Sequence, residues 1–126
     1  MRPHPSCVNR LFRAAFWLAA LSIGVLSLMP AQHLPSQAFD IWDKAQHAIG
    51  FAMLALLGQR AYPNNTIGLM FGLLCYGAVI EVAQSATGWR QGDPQDWLAD
   101  GLGVLAGLAM GFAWSGRHPK SGADAQ

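Results

Sequence analysis

One stretch limits what this 126-residue chain can be: Leu11 to Met29 reads LFRAAFWLAALSIGVLSLM, with sixteen uncharged residues after Arg13 and a stop at Pro30. A helix that crosses the hydrocarbon core of a bilayer needs roughly 20 predominantly apolar residues. The stretch therefore reads as a first membrane span. A cleaved signal peptide competes with that reading, because Arg2, Arg10 and Arg13 precede the apolar run and Ala31 stands where a cleavage site would end. Met29 suits such a site poorly, and three more apolar blocks follow, so a retained span is the better reading.

The second block runs from about Asp43 through AQHAIGFAMLALLGQRAY to Pro63, where PNN marks a tight turn. Its apolar centre is short, with Lys44 and Arg60 near opposite ends, where long stems carry charges to the interface. The third runs from Ile67 to Ile80 and reaches membrane length through Glu81 and Gln84, and the fourth from about Asp96 to Trp114. Pro30 to Trp42, with Pro35, Ser36 and Gln37, reads as an exposed loop, as does ATGWRQGDP, with Trp89 inside it and Trp97 just after it suited to the membrane interface. Only 12% of residues are charged, about half the share usual in soluble proteins. The expected architecture is all-α: a polytopic bundle of four transmembrane helices over 11–114, with cytoplasmic tails over 1–10 and 115–126.

Orientation follows from the cations. Arg2, Arg10, Arg13, Arg60, Arg117 and Lys120 fall on one side and Lys44 and Arg90 on the other, six against two. The positive-inside tendency then places both termini in the cytoplasm. Net charge is +1 and no basic run or basic helical face occurs, so nucleic acid is not an expected partner. Cys7 and Cys75 are too few and too differently placed for a disulfide framework or a metal knuckle. Ala99, Gly103, Gly107 and Gly111 recur every four residues, and Gly68 with Gly72 makes a second small pair. Such spacing lets helices approach closely in lipid, within one chain or between copies. The oligomeric state stays open.

In this topology Asp43, Lys44 and His47 begin the second span at the outer end. Glu81 and Gln84 close the third there, and Asp96 and Asp100 open the fourth. Residues three or four apart share a helix face. Asp43 therefore aligns with His47, Gly77 with Glu81 and Gln84, and Asp96 and Asp100 with the glycine stripe. Ionisable groups at membrane depth are costly and face a bundle interior or a wet cavity, usually paired. Lys44, Arg90 and a protonated His47 are the available partners for Asp43, Glu81, Asp93, Asp96 and Asp100. A network that only fixes helix register is the bland alternative. His47, Glu81, Asp96 and Asp100 offer nitrogen and oxygen donors from three helices, but no HxxH, HExxH or CxxC spacing supports a metal, so neither metal nor cofactor is expected. Ser85 lacks a G-x-S-x-G elbow. Crowded carboxylates remain suited to acid/base chemistry.

The run Asp43-Lys44-x-x-His47-x-x-x-Phe51, then Glu81-x-x-Gln84, then Arg90 and Asp96-x-x-x-Asp100-x-x-Gly103-x-x-x-Gly107, resembles the VanZ-like family of small bacterial membrane proteins, over Asp43 to Gly111. Where that family usually carries Asn, this chain has Asp100. The resemblance implies a multi-pass protein of the bacterial cytoplasmic membrane, in a family whose founding member is associated with resistance to the glycopeptide teicoplanin.

Three functional readings follow. In the first, an outer pocket formed by Asp43, Lys44, His47, Glu81, Gln84, Arg90, Asp96 and Asp100 engages a membrane lipid headgroup, a lipid-linked cell-wall precursor or a glycopeptide. Lys44 and Arg90 would take phosphate or carboxylate. In the second, Glu81 or Asp96 acts as general acid or base on such a lipid, assisted by His47. In the third, the polar cluster only holds helices together.

Overall fold

Helices form where the apolar blocks lie. They are α1 (Cys7–Leu28), α2 (Ser36–Ala61), α3 (Thr66–Thr87) and α4 (Pro94–Arg117), in a computed structural model that describes residues 7–30 and 36–117. The chain is all-helical, as the apolar blocks require. The loop expected over 30–42 is shorter than its prolines suggest, since α2 already begins at Ser36. Tail gives way to helix over Cys7–Arg10 and again over Ser115–Arg117. The remainder of both tails, with Arg2 and Lys120, lies outside the described residues, as do Ala31 and Pro35.

Local chemistry explains the boundaries at the polar end. Gly88 sits at φ 78°, the left-handed conformation that closes a helix, and so ends α3. Pro94 opens α4 at the first helical position, where its missing N–H costs nothing. Asp93 caps that helix, with Oδ1 accepting from Gln95 N at 2.9 Å.

Among the described residues, three helices are long and apolar enough to cross a membrane: α1 over Val8–Leu28, α3, and α4 over Pro94–Gly116. The fourth, α2, has the length at 26 residues, yet Asp43, Lys44, Gln46 and His47 break its hydropathy. It compensates by position. Two of those polar residues are buried, and α2 packs along α4, α1 and α3. The molecule is apolar outside and polar within at one end. Leu18, Leu21, Phe71, Val82, Leu102 and Phe112 are all exposed, whereas Asp43, His47, Gln84, Asp96 and Asp100 are buried. That inversion suits a lipid surround, in which an exposed leucine loses nothing and an exposed charge is expensive.

An apolar core of Phe16, Phe51, Leu54, Leu73, Ile80 and Val104 lies beyond the polar end. The α2–α4 seam is its tightest part. A methyl group built on Gly103 would collide with the Ala48 carbonyl, and one on Gly107 with the Ala52 carbonyl. Gly111 faces the Gln59 amide, which donates to Leu108 O at 3.2 Å. The stripe is therefore a backbone-to-backbone contact. Gly68 and Gly72 differ: Gly72 meets nothing within 4 Å and Gly68 only the Asn65 side chain of its own helix start, so this pair makes no helix seam within the chain.

Gly107→Ala should push α4 off α2 and cost about 1–3 kcal/mol, as overpacking a close seam does. Gly72→Ala should stay within about 0.5 kcal/mol. Unfolding in mixed micelles of increasing SDS fraction measures both.

Candidate functional site

The polar end is assembled from all four helices. α1 supplies main-chain carbonyls, because the last turn of any helix has C=O groups without an internal partner. Ser27 O accepts from Gln84 Nε2 at 2.9 Å and from Arg90 Nη1 at 2.9 Å, and Leu28 O accepts from Trp89 Nε1 at 3.1 Å. These three bonds dock α3 and its following loop onto the end of α1. The guanidinium of Arg90 also donates to Asp43 Oδ2, and together the two contacts bridge α1 and α2. Arg90 is held in place by its own loop, where Thr87 Oγ1 accepts from its main-chain N–H at 3.3 Å.

Lys44 points the other way. Its Nζ lies 3.0 Å from Asp93 Oδ2 and 3.4 Å from Asp96 Oδ1. Asp93 lies in the loop before α4 and is about one-third exposed. Its carboxyl is held below the ordinary 3.8, first by the Gln95 N–H at the helix cap and then by the Lys44 ammonium. A depressed carboxyl contributes stability above its ordinary pKa and loses it as pH falls through the lowered value. The Lys44–Asp93 tie is therefore intact at neutral pH and opens only in strong acid.

The deepest pair is His47 with Asp100. Nδ1 and Oδ1 are 2.8 Å apart, with side-chain exposures of 3% and 0%. His47 lies parallel to Phe51, whose ring begins the dry core, with centroids 6.5 Å apart. Asp100 fits because Gly77 leaves room on α3; a methyl group there would crowd Asp100 Oδ2. Glu81, one turn after Gly77, uses Oε2 to accept the Asp93 N–H at 2.7 Å. One donor atom from each of His47, Glu81 and Asp100 lies within 4.8 Å of the others, and the same holds for Asp43, His47 and Asp96.

All eight residues read as a pocket from sequence thus lie at one end, in two layers. Asp43, His47, Glu81, Asp96 and Asp100 form the interior cluster, Lys44 is at a rim, and Gln84 turns toward α1. The two cations read as candidates for an anionic ligand are held by carboxylates of the acidic cluster, Arg90 by Asp43 and Lys44 by Asp93. Ser27 and Thr87 had no sequence signal, since one acts through a carbonyl that every residue carries and the other through a loop closure. Gly77 was visible only as a neighbour of Glu81 on one face.

Beside this cluster a groove of about 570 Å³ runs between α1 and α2. Ile23, Leu26, Trp42 and Ile49 give it apolar walls, and Asp43, His47 and Arg90 form its polar end. No family model matches the chain, and no curated protein or solved structure is detectably similar to it.

Removing one partner of a buried ion pair leaves the other charge uncompensated, at about 3–5 kcal/mol. Arg90→Gln should therefore strongly lower folded yield and SDS resistance, and Asp43→Asn in the same chain should restore most of the loss. Additive damage in the double variant would mean that the pair does not hold α1, α2 and the loop together.

Proposed function

We propose that this chain is a VanZ-like, multi-pass protein of the bacterial cytoplasmic membrane, with four spans and both termini in the cytoplasm, that engages a chain-bearing envelope lipid at its outer end. The α1–α2 groove carries the reading. Its walls suit an acyl or prenyl chain, and it leads to groups that recognise a headgroup. Pockets of this kind are mostly apolar, with a few fixed polar groups for orientation.

The partners found for the cations refine which headgroup fits. Arg90 is a positioned charge at the groove's end, and its fork is already engaged by Asp43 and Ser27 O. Around it, acceptors outnumber donors. A headgroup rich in hydroxyl, amide or amine donors, as on a lipid-linked cell-wall precursor, complements that surplus better than bare phosphate does. Binding or shielding such a precursor would connect the chain to glycopeptide susceptibility of the teicoplanin type. The four-span topology is supported by the length of α2 and by its packing within a shell of three apolar helices.

A second reading draws on the His47–Asp100 pair. A carboxylate orients the imidazole through Nδ1, as a general base is usually oriented, and Glu81 stands next to it. Turnover of a labelled lipid, lost in Glu81→Gln while lipid binding persists, would make the protein an enzyme.

Leu26→Trp and Ile49→Trp add bulk to exposed groove walls without touching the ion pairs. Each should reduce co-purified lipid at least about fivefold, roughly 1 kcal/mol of binding, by native mass spectrometry at unchanged folded yield. In a sensitive host at matched membrane abundance, any wild-type shift in teicoplanin susceptibility should fall with it. Unchanged lipid content in both variants would exclude the groove, and a C-terminal reporter found outside the cell would overturn the orientation.

A further inference from the structure

The two ends of the bundle are opposite in charge. Among the described residues, Asp43, Glu81, Asp93, Asp96 and Asp100 lie at the polar end, with Asp40 one turn before Asp43 on α2. Arg10, Arg13 and Arg60 lie at the other, where α1 and α3 begin and α2 ends, and no described carboxylate stands there. Arg13 is the best placed of the three. Its Nε donates to Ala61 O at 3.2 Å, and its guanidinium lies over the Tyr62 ring, 5.0 Å from the centroid. The terminal nitrogens of that fork stay available to an acceptor, and Arg10 is one turn before it on the same face of α1. Asn65 gives α3 no side-chain cap, so the first N–H groups of that helix and the positive end of its dipole add to the same field.

A groove of about 420 Å³ between α1 and α3 begins beside Arg13, at Tyr62. Trp17, Tyr62 and Asn65 line its head, and Leu69, Leu73 and Val79 line its apolar length. Tyr62 Oη accepts from Trp17 Nε1 at 3.0 Å, which leaves the hydroxyl proton to donate elsewhere. Gly68 and Gly72 are the floor. A methyl group built on Gly72 would meet nothing within 4 Å, so the groove is open there. Along α3 from Asn65 to Val79 it runs about 21 Å, at 1.5 Å per residue. One leaflet of a bilayer with its headgroups is about that thick, half of roughly 40–45 Å.

We propose that the α1–α3 groove binds one anionic glycerophospholipid from the leaflet at the arginine end. Its phosphate is held by Arg13, Tyr62 and Asn65, and an acyl chain lies over Gly68 and Gly72. Charge selects this occupant. A second copy seated on the groove in the same membrane orientation would bring Arg10 and Arg13 of both chains together, with no described carboxylate between them. An anionic headgroup supplies the missing negative charge at the head, and hydrocarbon fills the apolar length below it. Basic recesses between helices at the cytoplasmic face take up anionic lipids in this way, and the proposed orientation gives that face to this end. The site is remote from the α1–α2 groove and rests on neither the ligand proposed there nor the sidedness of the chain. A lipid bound here braces α1 against α3 along the open stretch beside Gly72.

The full chain, delipidated in detergent, is mixed with phosphatidylglycerol or with phosphatidylcholine of the same chains and read by native mass spectrometry, in which each lipid has its own mass. Wild type should retain one phosphatidylglycerol per chain at least about fivefold more tightly than phosphatidylcholine, the effect of one arginine at a headgroup. Gly72→Leu, which fills the floor, should lower retention of both lipids at least about fivefold. Arg13→Gln should erase the preference between them. Gly116→Leu, at an open glycine outside the groove, and Leu26→Trp in the α1–α2 groove should change neither, so the two lipid sites fail separately. Should a groove variant not fold, the wild-type preference decides. Equal retention of the two lipids by wild type, or a preference for phosphatidylglycerol that survives both Gly72→Leu and Arg13→Gln, would overturn the site. So would a lipid-free dimer of wild type that is lost in Gly72→Leu, since a second copy would then occupy the groove.

Discussion

The close approach of α4 to α2 governs the rest of the molecule. Gly103 lies on the Ala48 carbonyl and Gly107 on the Ala52 carbonyl, so the two backbones are locked in one register with no side chain between them. That register sets His47, the residue before Ala48, against Asp100, one turn before Gly103. The buried pair is thus a continuation of the glycine seam. In lipid, where apolar side chains gain little by meeting each other, backbone contact and interhelical hydrogen bonds carry much of the association. Here both act along one line.

From this seam the other two helices take their places. α1 and α3 lie against it and contribute what it lacks: carbonyl acceptors from Ser27 and Leu28, and from α3 the Gly77 recess with the Glu81 carboxylate. Arg90 reaches both α1, at Ser27 O, and α2, at Asp43, which makes the loop between α3 and α4 a structural clamp as well as a connection. The groove beside it is bounded by Ile23 and Leu26 of α1 and by Trp42 and Ile49 of α2.

Much of this arrangement is legible in the residues themselves. The four apolar blocks, the breaks at PNN and TGWRQGDP, and the period-four glycines are local signals, and each maps onto a helix, a turn or a seam. The gathering of acidic residues at one end follows from alternating helix direction and 3.6-residue periodicity alone. Local signals fail where partners come from other helices. Pro35 suggested a loop up to Trp42, but nothing in Ser36–Trp42 forbids helix, and α2 starts directly after the proline. Lys44 and Arg90 read as partners of the acidic cluster, but which carboxylate each takes is not legible, because the sequence shows charge without distance. Gly68 and Gly72 have the same spacing as the α4 stripe, yet a seam needs a facing helix of small residues; the stripe meets one in Ala48, Ala52 and Ala55 of α2, whereas nothing comes within 4 Å of a methyl group built on Gly72.

The polarity of α2 follows from the same placement. A helix carrying Asp43, Lys44, Gln46 and His47 in two turns would be costly as an isolated span. Packed on α4, it exchanges lipid for Asp100 at His47, for Arg90 at Asp43 and for Asp93 at Lys44. Every exchange is with a residue later in the chain, 47 to 53 positions on. The polar half of α2 is therefore matched only after α4 and its preceding loop are in place, and the early half of the chain cannot reach its final structure alone. A polar helix at the centre of an apolar shell is tolerable because the last helix completes it, and the surplus of acceptors left after that completion is concentrated where three helices meet.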